Sequence, residues 1–179
     1  LINKENKLPN DYDFEKVNVE NGQQVDARML PYLQQMLQDA KQQGVILAVL
    51  SGYRPPQRSE YLLTQKVNEL IQQGYSKQQA QEEAEKLVAK PGESEHNAGL
   101  SVDLVTSKYY AGDDGLVEEL EQYPEYQWLY KHCANYGFIL RYPKDKTEIT
   151  QYDYEPWHFR YVGKEHAKII MENGLCLEE

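Results

Sequence analysis

At 179 residues the chain suits one domain with a real buried core. A net charge of −10 with no offsetting Lys/Arg stripe excludes phosphate-led nucleic-acid binding and disfavours anionic membrane surfaces. No apolar run reaches transmembrane length, and two cysteines, Cys133 and Cys176, are too few for a Cys-based structural zinc site but leave one disulfide open.

Residues 1–25 are polar and turn-rich, with Pro9, Asn10, Asp11 and Asn21-Gly22, and read as an extended arm over a domain spanning 26–179. Because the chain opens at Leu1 without a secretory pattern, an export signal or anchor is expected upstream of it. Asp26 suits the N-cap of a helix carrying Met29, Leu33, Met36, Leu37 and Ala40, ending near Gly44. The apolar run Val45–Leu50 predicts a buried strand that ends at Ser51-Gly52-Tyr53-Arg54-Pro55-Pro56. There the two prolines impose a non-helical turn, which aims Tyr53 and Arg54 at a cleft.

From Gln57 to about Ala89 the pattern predicts two helices, broken at Gly74-Tyr75 with Ser76 capping the second. Lys90-Pro91-Gly92 stops it. A strand over Leu100–Val105 follows, then a turn at Asp113-Asp114-Gly115, where calcium is conceivable but a plain loop is commoner. Further on, a helix spans about Pro124–Tyr136, strands cover Gly137–Tyr142 and Trp157–Val162, and a last helix runs Lys164–Glu172. Strands and helices without regular βαβ alternation predict a single-domain α+β fold, mainly an antiparallel sheet flanked by helices with the site in a cleft on the sheet. Fifteen tyrosines against three phenylalanines suit a half-wet groove.

Two distant segments carry metal-site chemistry. In Ser94-Glu95-His96-Asn97-Ala98-Gly99-Leu100-Ser101-Val102-Asp103, Gly99 can bend the backbone so that His96 and Asp103 converge. In Glu155-Pro156-Trp157-His158, the proline lets Glu155 lie in a turn while His158 starts a strand, so the carboxylate would stand beside a metal as a general base. Together they offer His96, Asp103 and His158 as zinc ligands and leave one position open for water. Either segment alone is weak. His-x6-Asp often arises by chance, and Glu155 with His158 reads equally well as a surface carboxylate and a core histidine. His132 and His166 lie in predicted helices without acidic partners.

With Ser51-Gly52-Tyr53-Arg54 before them and Phe159-Arg160-Tyr161-Val162-Gly163 after, these motifs stand in family order, and Asp26 to Gly174 resembles the VanY-type D-alanyl-D-alanine carboxypeptidases and related LD-carboxypeptidases. The resemblance implies zinc on His96, Asp103 and His158, Glu155 as base, Arg54 at the oxyanion or substrate carbonyl, Ser94 on the substrate peptide and Trp157 in the pocket wall. Tyr53 is carried with Arg54 as a substrate-binding candidate. It also implies a peptidoglycan stem peptide as substrate, an extracytoplasmic location, a monomer and membrane attachment only through an upstream anchor. Pro55-Pro56 departs from the small polar or acidic residues that relatives often carry there. Rival readings are an LD-carboxypeptidase on tetrapeptide stems, a peptidoglycan endopeptidase and, from another class, a non-catalytic zinc-stabilised wall-binding module, which would tend to lack Glu155 or Arg54.

Overall fold

The computed structural model describes residues 1–106 and 116–179, so the turn expected at Asp113-Asp114-Gly115 lies outside the described residues. Within the first segment, β1 (Lys16–Asn18) and β2 (Gln24–Asp26) form a short antiparallel hairpin. The helix that follows, α1 (Leu30–Gln42), has Met29 at its cap position and a proline in its first turn. Asp26 is therefore not the cap: its carboxylate takes the Arg28 N–H at 2.8 Å and the Arg28 guanidinium. Pro31 needs no acceptor and pre-sets the helical φ, which allows the later start.

Then come β3 (Leu47–Ser51), α2 (Pro56–Gln72) and α3 (Lys77–Leu87). Ser76 and Gln79 form a reciprocal capping box at the start of α3. A 3-10 turn at Glu95–Ala98 leads to β4 (Ser101–Thr106). After α4 (Pro124–His132), Cys133–Tyr136 tightens to a 3-10 turn that ends at Gly137 with φ 88°, so the expected helix is shorter than its pattern. The chain closes with β5 (Phe138–Leu140), α5 (Thr147–Thr150), β6 (His158–Tyr161) and α6 (Lys164–Glu172).

The main sheet has the order β3-β4-β6-β5 with every neighbour antiparallel, an α+β architecture. Alternation gives its two faces opposite characters. Val49, Val102, Leu104, Phe138 and Phe159 join Leu33, Met36 and Ala40 of α1 and Tyr126 and Leu129 of α4 in the main core. The opposite face carries Asp103 and His158, which are register partners on β4 and β6. On β3 a register shift between Val49 and Ser51 brings Ser51 opposite Asp103, so the strand leaves the core pattern where it reaches the polar face. Cys133 and Cys176 are both buried free thiols, with burial pushing Cys133 up to about 12.

Gly99 sits at the join between the 3-10 turn and β4 with φ 65°, and a Cβ added there would overlap the Phe14 ring. The left-handed backbone alone penalises other residues by about 1–2 kcal/mol. Gly99→Ala is therefore expected to lower unfolding free energy by roughly 1–3 kcal/mol, read as an earlier urea midpoint. An unchanged midpoint would mean the His96–Asp103 join tolerates a side chain.

Candidate metal centre

His96 lies in the 3-10 turn, whose first N–H groups need acceptors. Ser94 caps it, its Oγ accepting from the His96 N–H at 3.3 Å. Asn97 ties the turn to its surroundings, donating to Arg54 O at 2.8 Å and Ser59 Oγ at 3.0 Å and accepting from the Gly92 N–H at 2.9 Å. The Arg54 N–H donates in turn to His96 O at 3.0 Å. Turn and β3–α2 loop are thus pinned to each other, which holds the His96 ring in place. Since a carbonyl can only accept, His96 Nδ1 must donate to Gly52 O at 2.7 Å, leaving Nε2 with a free lone pair.

That lone pair faces Asp103 Oδ1 at 3.3 Å, and His158 Nδ1 reaches the same oxygen at 3.3 Å. All three residues are buried, and one ligand atom from each lies within 4.8 Å of the others. Asp103 Oδ1 is buried yet makes no hydrogen bond to a described residue. Three donor atoms converging on one point around an unsatisfied carboxylate oxygen fit a single cation. Two imidazoles and a carboxylate are a donor set that zinc accepts.

Glu155 occupies the turn before β6, as Pro156 allows. Its carbonyl accepts the His158 N–H at 3.2 Å and its own N–H donates to Tyr142 O at 3.3 Å. So anchored, its carboxylate stands 3.2 Å from His158 Nδ1. Arg54 approaches from the other side: one guanidinium nitrogen donates to Ser51 Oγ at 3.3 Å and lies 3.9 Å from Asp103 Oδ2. These residues, with Ser94 and Trp157, line one cleft of about 780 Å³ that continues along α2 past Leu62, Gln65 and Lys66. That volume lies within the range of small-molecule sites.

Tyr53 does not join them. Successive residues of extended backbone point to opposite sides, and its ring packs edge-on against Phe14, with centroids 5.2 Å apart, under the Lys16 amine. His132 lies against Trp128 with centroids 4.8 Å apart, and His166 is exposed on α6.

The sequence reading gave no role to Glu95, Arg141, Arg160, Tyr142 or Tyr152. Tyr142 and Tyr152 line the cleft, and Glu95 is fully buried behind His158. One signal was available: Arg160 is two residues from His158 on β6, hence on the same sheet face.

Electrostatics favour a cation. Burial alone would raise the Asp103 carboxyl, but the His96 and His158 imidazoles outweigh it and hold Asp103 well below the usual carboxylate range. Burial lowers His96, with the nearby Arg54 charge adding to it. At His158 burial disfavours charge, yet the carboxylates of Asp103, Glu155 and Glu95 set around the ring win and hold it well above the ordinary imidazole value. Three carboxylates around one imidazole make a pocket that asks for positive charge.

Comparisons with known proteins agree with this geometry. The family model for VanY, D-alanyl-D-alanine carboxypeptidase, matches residues 22–164. A D-alanyl-D-alanine carboxypeptidase of Enterococcus faecalis (strain ATCC 700802 / V583) is 44% identical over 179 residues, which is 100% of this chain but 63% of that protein's length. The solved structure of VanYB in complex with D-alanine-D-alanine has a TM-score of 0.88 and 42% identity, covering 99% of this chain and 93% of that one. A vancomycin resistance D,D-pentapeptidase VanY in complex with Zn(II) also scores 0.88, at 43% identity, with 99% and 95% covered. This chain belongs to the VanY D-alanyl-D-alanine carboxypeptidase family.

Proposed function

We propose that the chain is a zinc-dependent D,D-carboxypeptidase that removes the terminal D-alanine from peptidoglycan stem peptides. The observation that carries this reading is the convergence of His96, Asp103 and His158 within 4.8 Å, with Glu155 left over beside them. The same donor set serves non-haem iron elsewhere. A spare carboxylate and an arginine at its rim are what hydrolysis requires, and the VanY relative above holds Zn(II). The presence of both Glu155 and Arg54 at the cleft also weighs against a binding module that does not cut.

His96, Asp103 and His158 would hold the ion. When bound, zinc supplies Lewis acidity and brings the pKa of a coordinated water to about 7. Glu155 accepts the proton of the attacking water at its carboxylate and later delivers it to the amine of the departing D-alanine. The Arg54 guanidinium carries five N–H donors, of which Ser51 engages one, and it presents others to the carbonyl oxygen as charge develops there. Ser94 and Trp157 flank the peptide, while Leu62, Leu87 and Val88 give the far cleft wall apolar surface. Acting on a peptidoglycan substrate, which lies beyond the cytoplasmic membrane, the chain would work on the cell-wall side. No helix of the described residues is long and apolar enough to cross a membrane.

The test is product analysis. Purified protein is incubated with a pentapeptide stem ending in D-Ala-D-Ala and, separately, with the tetrapeptide stem. Loss of one alanine from the pentapeptide, abolished by a chelator and restored by Zn²⁺, is expected. Cleavage of the tetrapeptide alone would replace the D,D reading with an L,D one. Arg54→Ala is expected to retain zinc but lower kcat by about 10²–10³-fold, the usual effect of removing one oxyanion donor. If instead KM alone rose, Arg54 would be a ground-state binding residue.

A further inference from the structure

Behind the metal ligands lies a buried ion network that reaches beyond the family match. His158 Nε2, on the side of the ring away from Asp103, faces Glu95 Oε2 at 3.7 Å. Both atoms are buried and neither has a hydrogen-bond partner among the described residues. The other oxygen of Glu95 is taken twice, by Arg141 Nε at 2.8 Å and Arg160 Nη1 at 2.6 Å. Arg141 is fully buried, and its two terminal nitrogens donate to Glu178, Nη1 to Oε2 at 2.8 Å and Nη2 to Oε1 at 2.6 Å. Asn3 Nδ2 steadies the same carboxylate at 3.3 Å. Asn3 and Glu178 both lie outside residues 22–164.

The division of labour on Arg141 matters. Arginine prefers to grip a carboxylate with two parallel N–H bonds. Here the fork is occupied by Glu178, so Arg141 gives Glu95 one bond, on Oε1, and leaves Oε2 for the imidazole. With the fork empty, Arg141 would be free to close on both oxygens of Glu95 and draw Oε2 away from His158. A carboxylate behind a ligating imidazole fixes the ring's orientation and raises its basicity toward the metal.

Building on the zinc reading above, we propose that Glu178 is a positioning residue of the metal centre, acting through Arg141 and Glu95 on His158. The chain after α6 is then part of what sets metal affinity, although it touches neither metal nor substrate.

The test measures zinc affinity of the full chain by chelator competition, well below the melting temperature of every metal-free variant, together with the Co²⁺ visible spectrum. Glu178→Gln is expected to weaken zinc about tenfold and shift the cobalt bands, and Glu95→Gln to weaken it 10–100-fold, the usual range for outer partners of ligating histidines. Glu178→Asp, which keeps the charge, should recover most of the loss. Glu179→Gln is the control: it breaks contacts to Lys146 and the Cys176 N–H without touching Arg141, and should leave affinity within about twofold. In the Glu95→Gln background, Glu178→Gln should have no further effect. Equal affinities for Glu178→Gln and Glu179→Gln would overturn the proposal, as would the same loss from Glu178→Gln in both backgrounds. A wild-type chain that takes up no zinc would instead overturn the zinc reading on which the proposal rests.

Discussion

Glu155→Gln is expected to bind one zinc per chain as tightly as the wild type while losing about 10²–10⁴-fold in kcat for D-alanine release, the range that a positioned general base contributes. The substitution keeps the side chain's size and one acceptor oxygen but removes the basic carboxylate that takes the proton. Glu155 is held by its own backbone, between Tyr142 O and the His158 N–H, so the turn should survive the change. Its carboxylate lies at the edge of the ligand cluster, 3.2 Å from His158 Nδ1, and the three-residue donor set is complete without it. The measurement is single-turnover hydrolysis of a stem ending in D-Ala-D-Ala with zinc content determined on the same sample. Near-wild-type turnover would remove Glu155 as the base, and loss of zinc would make it a ligand.

Asp103→Asn should behave in the opposite way. Its carboxylate oxygen Oδ1 is the point on which both imidazoles converge, at 3.3 Å each, and it makes no hydrogen bond that a neutral amide could imitate. Replacing it leaves two nitrogen donors and takes the one negative ligand from the set. Losing an outer hydrogen-bond partner already weakens metal binding 10–100-fold, so losing a ligand should exceed the upper end, more than about 100-fold. Activity is expected to vanish with the metal and to stay absent when micromolar zinc is restored. Circular dichroism should show a folded chain, because Val102 and Leu104 on either side of Asp103 remain packed in the core. Retention of one zinc at wild-type affinity by Asp103→Asn would exclude Asp103 from the coordination sphere.

How much was legible beforehand follows from which interactions are local. The β4 and β6 strands announce themselves by composition. The turn at Glu155-Pro156-Trp157-His158 follows from the proline, and the N-cap at Ser76 from the Gly74-Tyr75 break before it, although its reciprocal box with Gln79 appears only in the structure. Each is a matter of a few adjacent residues. The α1 start is not legible in the sequence because Asp26 has a nearer partner in Arg28, which no capping rule weighs. The α4 pattern overran because apolar spacing cannot distinguish an α-helical from a 3-10 last turn. Tyr53 adjoins Arg54 in sequence but not at the cleft, because adjacent residues on extended chain face opposite ways. Least legible was the support behind His158. Glu95 lies within the first metal-site motif and Arg160 two residues past the second, but Arg141 and Glu178 join the network only by burial and pairing across 37 to 46 positions of chain.

The most direct measurement is an anomalous-scattering map at the zinc edge from crystals of the full chain grown with Zn²⁺. One peak is expected, bonded to His96 Nε2, an Asp103 carboxylate oxygen and His158 Nδ1, with Glu155 near it but unbonded. A peak that recruits Glu155 in place of any of the three, or none at this end of the cleft, would contradict it.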